Sequence, residues 1–206
     1  VGFYNRHILP HLINAACGSG PIAKQRAKIV PKAQGVVLEI GFGSGRNVAL
    51  YDPARVSRLI AAEPEAGMRT LGQAALAGAK IPSELRDDPA EASSLADASV
   101  DTVVCTYTLC TVHSPLAALA EAKRVLKPGG LLLFCEHGLA PDPKVARMQK
   151  AIEPVWRRLA GGCLLTRDPL ALLAQAGFQV DGPERMYLPG TPRFGGYNVW
   201  GAAAAR

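Results

Sequence analysis

No apolar run in this sequence reaches the roughly eighteen residues that a membrane-spanning helix needs, and the N-terminal segment lacks the apolar h-region of a secretory signal. A cytoplasmic protein is expected. The chain opens on Val1 rather than on a methionine, so an initiator or short leader can precede it. There is no Cys-x-x-Cys pair. Cys17, Cys105, Cys110, Cys135 and Cys163 are odd in number, and several stand in apolar runs, which favours reduced, buried thiols over a disulfide framework. His7, His11, His113 and His137 do not fall with them at zinc-ligand spacing, and no metal is expected. Acids are missing from the whole stretch before Glu39, where Arg6, Lys24, Arg26, Lys28 and Lys32 stand alone. Such a segment is either a solvated face or a contact for an anionic lipid surface, a nucleic acid or an acidic substrate. Aromatic residues make up only 6% of the chain, and few lie near those cations to stack bases, so nucleic acid is the least favoured partner.

What is present suffices for one globular core. With 206 residues, 49% hydrophobic and 19% charged, the chain is most simply a single domain, residues 1–206, and it carries a formal charge of +6. No linker divides it and no internal repeat appears.

The stretch from Val36 to Arg46, Val-Val-Leu-Glu-Ile-Gly-Phe-Gly-Ser-Gly-Arg, organises the rest. Val36, Val37, Leu38 and Ile40 form a short apolar run ending in alternating glycines, the pattern of a buried strand entering a tight turn. Gly41, Gly43 and Gly45 can take positive φ and admit a ligand against bare backbone, and the segment from Arg46 to Tyr51 can open a helix behind them. A dinucleotide fingerprint would need its third glycine at position 46, which is Arg46. Instead the motif is Glu39-x-Gly41-x-Gly43-x-Gly45, with an acid that repels phosphate and attracts an ammonium or sulfonium. At these residues the sequence resembles the class I S-adenosylmethionine-dependent methyltransferases.

That resemblance implies an α/β, doubly wound, mostly parallel seven-stranded sheet with an antiparallel last strand. Residues 1–34 would form an N-terminal helical lid and 35–206 a Rossmann-like core. Helices are expected from about Asn5 to Ala16 and from Ile22 to Val30, with Tyr4, His7 and His11 near the substrate, or with Tyr4, Ile8, Leu12 and Ile13 simply packing inward. Strand two, Leu59 to Ala62, ends in Glu63-Pro64, where a doubly wound fold accepts both ribose hydroxyls. Strand three is read near Ser83 to Arg86. Where members of the family often show Gly-Asp-Ala-Glu, this chain reads Asp88-Pro89-Ala90-Glu91. The Ala90 amide stays available for adenine, and the side-chain contact passes to Asp88 or Glu91. Val100 to Thr106 reads as a strand inside a parallel sheet, followed by Tyr107 to His113 beside the methyl-donor sulfur. Ser114-Pro115 opens a helix to Leu126, and Lys127-Pro-Gly-Gly130 turns into strand five, Leu131 to Cys135. Helices from Pro143 to Leu159 and from Asp168 to Gln175, then strands at Phe178 to Val180 and Tyr197 to Ala203, complete the core.

The donor-binding set implied is Glu39, Gly41, Phe42, Gly43, Gly45, Glu63, Pro64, Ala90, Glu91, Thr106 and Tyr107, with S-adenosylmethionine as cofactor and S-adenosylhomocysteine as product. A narrower resemblance, carried by Val103 to Cys110, Cys135-Glu-His137 and Gly162-Cys-Leu-Leu-Thr-Arg167, is to methyltransferase-like alkyl thiol S-methyltransferases and bacterial phospholipid N-methyltransferase-like proteins. A small apolar or amphiphilic acceptor is implied, a thiol ahead of a phosphatidylethanolamine-type amine. A non-catalytic nucleoside-binding protein is the remaining alternative. His137 is the candidate base or orienting group, with Tyr107 and His113 behind it. Cys110 reads as a pocket-lining thiol, residues 160–167 as a roof over the acceptor, and Arg157, Arg158 and Arg167 as helix-surface charge or an anion contact.

Overall fold

The computed structural model describes residues 8–205. Expectations for Tyr4, Asn5, Arg6 and His7 lie outside them. Two helices come first, α1 (Leu9–Cys17) and α2 (Gly20–Ile29), each with a proline in its first turn, where the missing N–H would have had no partner. The strands follow as β1 (Gly35–Ile40), β2 (Val56–Ala62), β3 (Ser83–Arg86), β4 (Val100–Thr106), β5 (Leu126–His137), β6 (Phe178–Val180), β7 (Glu184–Tyr187) and β8 (Tyr197–Ala205). Between them lie α3 (Ala66–Leu76), α4 (Pro115–Val125), α5 (Pro143–Leu159), α6 (Pro169–Gln175) and α7 (Arg193–Gly196). Among the described residues no helix is long and apolar enough to cross a membrane.

The sheet runs β3-β2-β1-β4-β5-β8-β6, parallel from β3 to β5 and antiparallel from there on. The chain leaves β1 toward β2 and β3 and returns on its other side as β4, so the carboxyl ends of β1 and β4 flank a switch in strand order, where open α/β sheets bind ligands. Both faces are covered, and the central strands are therefore continuously apolar. Leu38, Ile40, Val103, Cys105, Leu132 and Phe134 pack on one side with Leu119 of α4 and Leu173 of α6. Val37, Leu59, Val104, Leu133 and Trp200 pack on the other with Ile29 of α2 and Leu76 of α3. Each fully buried aliphatic side chain of this kind contributes about 1.5–3 kcal/mol.

Four expectations need correction. An eighth strand, β7, pairs with β8 beside β6, so β6 and β7 form one edge interrupted by Asp181-Gly182-Pro183. Glu184-Arg-Met-Tyr187 gives no apolar alternation to reveal it. No α-helix follows the glycine turn: only a 3-10 turn, Val48–Leu50, forms, because Asn47 and Tyr51 are drawn inward to Glu39 and Pro53 ends the segment. The chain between Leu126 and Leu131 is a bulge inside β5 rather than a separate turn, since Val100 pairs with Leu126 and Thr102 already with Leu131. The lid helix is also rotated from its expected setting. Leu9 and Pro10 are buried, whereas Ile8 and Leu12 are 42% and 53% exposed and His11 is exposed.

Candidate active site

At the switch point the glycine turn bends under constraints that are now visible. Gly41 has φ +65°, and a Cβ there would stand 2.3 Å from Thr108 Oγ1. The Gly43 N–H donates to Glu63 Oε2 at 2.8 Å, and the Glu65 N–H donates to Oε1 at 3.0 Å, so one carboxylate ties the turn to the end of β2. Helix α1 is laced onto the same turn. Asn14 Oδ1 accepts from Ser44 Oγ (2.6 Å) and Arg46 Nε (2.8 Å), and the Asn14 carbonyl accepts from Arg46 as well (2.9 Å). These elements enclose a cavity of about 430 Å³, within the range of small-ligand and cofactor sites. A wider depression beside α3 and residues 85–88 lies open to solvent, away from the glycine turn.

Gly41, Phe42, Gly43, Glu63, Pro64, Ala90, Glu91, Thr106, Tyr107 and His113 all lie on the cavity wall. Asp88 does not. Its carboxylate accepts from the Ser94 N–H and hydroxyl, so of these two acids only Glu91, which also accepts from the Ser114 N–H, is on the wall. Glu39, Gly45 and His137 are also off the wall. Gly45 shapes the turn, at φ +77°, against Ala75 and Phe42. Glu39 is 1% exposed and accepts from Asn47 Nδ2 (2.8 Å) and the Tyr51 hydroxyl (2.6 Å), so it bears on the cavity through the groups it orders.

Residues 38–134 match the methyltransferase-domain family model. Over 157 residues the chain is 36% identical to thiol S-methyltransferase TMT1B of Homo sapiens, covering 74% of this chain and 64% of that one. The chain belongs to the class I S-adenosylmethionine-dependent methyltransferases. It spans less than two thirds of that relative's length. A more distant similarity, 28% over 118 residues and 57% of this chain against 58% of the other, is to phosphatidylethanolamine N-methyltransferase of Cereibacter sphaeroides. Among solved structures, a SAM-dependent methyltransferase of Thermotoga maritima shares the fold at TM-score 0.63 and 21% identity, over 98% of this chain and all of that one.

Several groups around the cavity were not legible in the sequence. Arg26, read there as one of a run of surface cations, is 7% exposed and lies on the cavity wall. It donates to Asn47 Oδ1 (3.1 Å) and Thr106 Oγ1 and stacks 4.9 Å from the Tyr107 ring centroid. Its Nε is buried with no hydrogen-bond partner among the described residues. Asn47 is fully buried and joins Arg26, Glu39 and Thr106 in one network. Burial pushes Glu39 up to about 7, although Tyr51, Arg26 and Asn47 each pull it back. Glu63 is raised for the same reason, with the Glu65 and Gly43 amides opposing.

The far wall is held by Glu136. Its Oε1 accepts from the Thr108 N–H (2.8 Å) and the Leu109 N–H (3.2 Å), fixing the turn after β4. Tyr107, in that turn, takes φ +55°, a conformation that costs a non-glycine residue about 1–2 kcal/mol. The conformation is held by its N–H to the Cys135 carbonyl (2.9 Å) and its hydroxyl to Asn198 Oδ1 (2.5 Å). Burial raises the phenol further above its ordinary value, which makes Tyr107 a wall residue rather than a base. Arg167 donates to the Leu109 and Val112 carbonyls and so is a strut of the same turn, while Arg157 and Arg158 are exposed on α5. The roof expected from residues 160–167 is partly present. Gly161 lies on the cavity wall, packed toward Leu9 and Ile13 of α1.

Behind that wall stand Cys110, His137 and Cys163. Cys110 donates toward Cys163, which lowers the Cys163 thiol and raises that of Cys110. Burial pulls His137 down, but the contact with Cys163 outweighs it and leaves the imidazole raised. Cys110 is thus in a side-chain cluster behind the cavity, where the sequence suggested a lining thiol.

Proposed function

We propose that this protein transfers the methyl group of S-adenosylmethionine to the sulfur of a small apolar or amphiphilic thiol. The observation that carries the donor assignment is the charge pattern of the cavity. Glu63, Glu65 and Glu91 lie on its wall, an environment that disfavours a diphosphate and suits a cationic, phosphate-free nucleoside. The fit extends to the opposite charge. Arg26 is the buried guanidinium on the wall, a seat for the donor's carboxylate.

Glu63 has lone pairs left beyond the two amides it accepts from, and these would take the ribose hydroxyls. Ala90 and Glu91 would face the adenine edge, and Gly41 and Gly43 let the ligand lie on backbone. When bound, the donor supplies an electrophilic methyl group on a sulfonium. The chain's own contribution is placement. Glu136 and Arg167 make the Tyr107–Val112 wall rigid, and α1 with Gly161 covers the site against water. Orientation of this kind can supply several kcal/mol of rate acceleration in a displacement that needs the acceptor within about 3–3.5 Å of the methyl carbon. An acceptor thiol must lose its proton, and His113, exposed on the wall, is the base that the cavity offers directly.

The thiol assignment is supported by the relatives named for thiol S-methylation. A lipid amine is the second reading, supported by the Cereibacter sphaeroides relative and by the exposed Lys24, Lys28 and Lys32, which could meet an anionic surface. The deciding experiment supplies labelled S-adenosylmethionine with a panel of thiols, amines, phenols and phosphatidylethanolamine vesicles. Label in thiols without vesicles is the expected result. Label only in lipid, lost as salt is raised, would replace the thiol reading, and label in nothing would leave a nucleoside-binding protein.

A further inference from the structure

Three side chains from three separate segments converge behind the far wall of the cavity. Cys110 lies in the turn after β4, His137 ends β5, and Cys163 sits in the loop after α5. Their ligand atoms all lie within 4.8 Å of one another, with Cys163 Sγ 3.2 Å from His137 Nε2. Main-chain bonds fix this meeting independently of the side chains. The Leu164 N–H donates to the Cys110 carbonyl at 2.9 Å, and the Cys163 N–H to the Ala160 carbonyl at 3.2 Å. Trp156 Nε1–H donates to the Cys163 sulfur at 3.3 Å, an outer hydrogen bond of the sort that supports metal-bound ligands. His137 Nδ1 is buried without a hydrogen-bond partner among the described residues, so the fold alone leaves this imidazole incompletely satisfied.

The geometry points to a zinc-class metal site formed by Cys110, His137 and Cys163, with a fourth position open to the sulfur of the acceptor. A tetrahedral zinc with bonds of about 2.3 Å to sulfur and about 2.0–2.1 Å to nitrogen holds its donors roughly 3.5–3.8 Å apart. The three atoms would close on an ion through shifts of about 1 Å. Two thiolates and an imidazole select a soft or borderline ion over magnesium or calcium. Structural zinc sites use four protein ligands, whereas three leave the exchangeable position of a catalytic one. Cys17 lies on the cavity wall but outside the group of three.

Access to the open position is from the cavity, because Thr111, next to Cys110, and Gly161, two residues before Cys163, both line it. A thiol entering there exchanges its S–H bond for a metal–sulfur bond and releases the proton to solvent. The sulfur's lone pair then forms the bond to the methyl carbon as the donor's carbon–sulfonium bond breaks, giving a thioether and S-adenosylhomocysteine, and the ion keeps its charge. This role for the fourth position rests on the thiol reading above; binding of the metal does not.

The test begins with metal content of the reduced, dialysed chain produced in zinc-containing medium. About one zinc per chain is expected, falling at least tenfold in Cys163→Ser and Cys110→Ser and unchanged in Cys135→Ser, a buried cysteine outside the cluster. Because the first two variants can unfold, cobalt(II) is titrated into the zinc-stripped wild-type chain, where a thiolate-to-cobalt charge-transfer band is expected. A small alkyl thiol added next should shift the cobalt d–d bands. Less than about a tenth of an equivalent of zinc together with no charge-transfer band would overturn the site, leaving a hydrogen-bonded cluster. A full metal complement in a chain that methylates no thiol would uphold the site and sink the thiol reading. Undiminished thiol methylation by fully stripped protein, where at least a tenfold loss is expected, would sink the catalytic role of the metal and leave the thiol reading standing.

Discussion

Replacing Glu63 by alanine should separate the proposed donor site from the fold that carries it. In the ligand-free chain this carboxylate accepts from the Gly43 and Glu65 amides at 2.8 and 3.0 Å, and it is 7% exposed. Removing it strands two partly buried N–H groups, and at about 1 kcal/mol or more each the loss of stability should reach about 2 kcal/mol. Binding should suffer more. Two ribose hydroxyls donating to a carboxylate are hydrogen bonds to a charged acceptor, worth about 1.5–3 kcal/mol each, so affinity should fall by roughly two to four orders of magnitude. Titration calorimetry with S-adenosylhomocysteine measures the second effect, and urea unfolding without ligand measures the first. A variant that melts earlier yet binds within threefold of wild type would show that Glu63 only braces the glycine turn, and the ribose assignment would be refuted.

Glu39→Gln should alter the pH dependence of stability. With the folded group at about 7 against an ordinary 4.5, the folded chain holds the extra proton, so the wild type loses stability as pH rises between those values and no further above them. The gap corresponds to at most about 3 kcal/mol, and it should appear as a difference between variant and wild-type unfolding free energies that grows from pH 5 to 7.5 and then levels; a constant difference would refute it. Gly41→Ala places a Cβ 2.3 Å from Thr108 Oγ1 at φ +65°, which should cost about 2–4 kcal/mol in urea unfolding, and a loss below 0.5 kcal/mol would mean that the turn is softer than drawn. Gln149→Leu removes an acceptor for the Ala140 N–H and donors to the Gly138 and Phe194 carbonyls, all tying α5 to the end of β5 and to α7. A loss of about 3 kcal/mol is expected in the same assay, and an unchanged midpoint would show that water replaces the three bonds.

The parts of this molecule that were readable from sequence are those in which a local pattern is forced by a global constraint. A strand buried on both faces must be apolar throughout, so Val36 to Ile40 and Val100 to Thr106 declare themselves, and a turn that needs positive φ declares itself through glycine. Glu63 could be placed because the distance from a glycine turn to the next strand end is fixed by the fold. Arg26 could not. On a helix rich in cations nothing local distinguishes the one guanidinium that points inward; only the packing of α2 against the sheet does so. Glu39 shows the converse failure, since its position was read correctly and its reach was not. The motif gives its distance from the ligand along the chain, but Asn47 and Tyr51, eight and twelve residues on, decide that its oxygens turn away from the cavity.

The cysteine and histidine cluster lies furthest from any local signal. Cys163 is 26 residues from His137, and a motif scan that expects metal ligands a few residues apart passes over the group. What brings it together is topology. Parallel strands β4 and β5 end at the same edge of the sheet, so Cys110, just after β4, and His137, the last residue of β5, are brought together there. The loop after α5, bonded to the Cys110 carbonyl through Leu164, adds the third. In a doubly wound fold, candidate ligands are therefore better sought by aligning the carboxyl ends of adjacent strands than by counting along the chain. For this chain that rule selects the far wall of the cavity, and it is in such sites, rather than in the fold that carries them, that function is set.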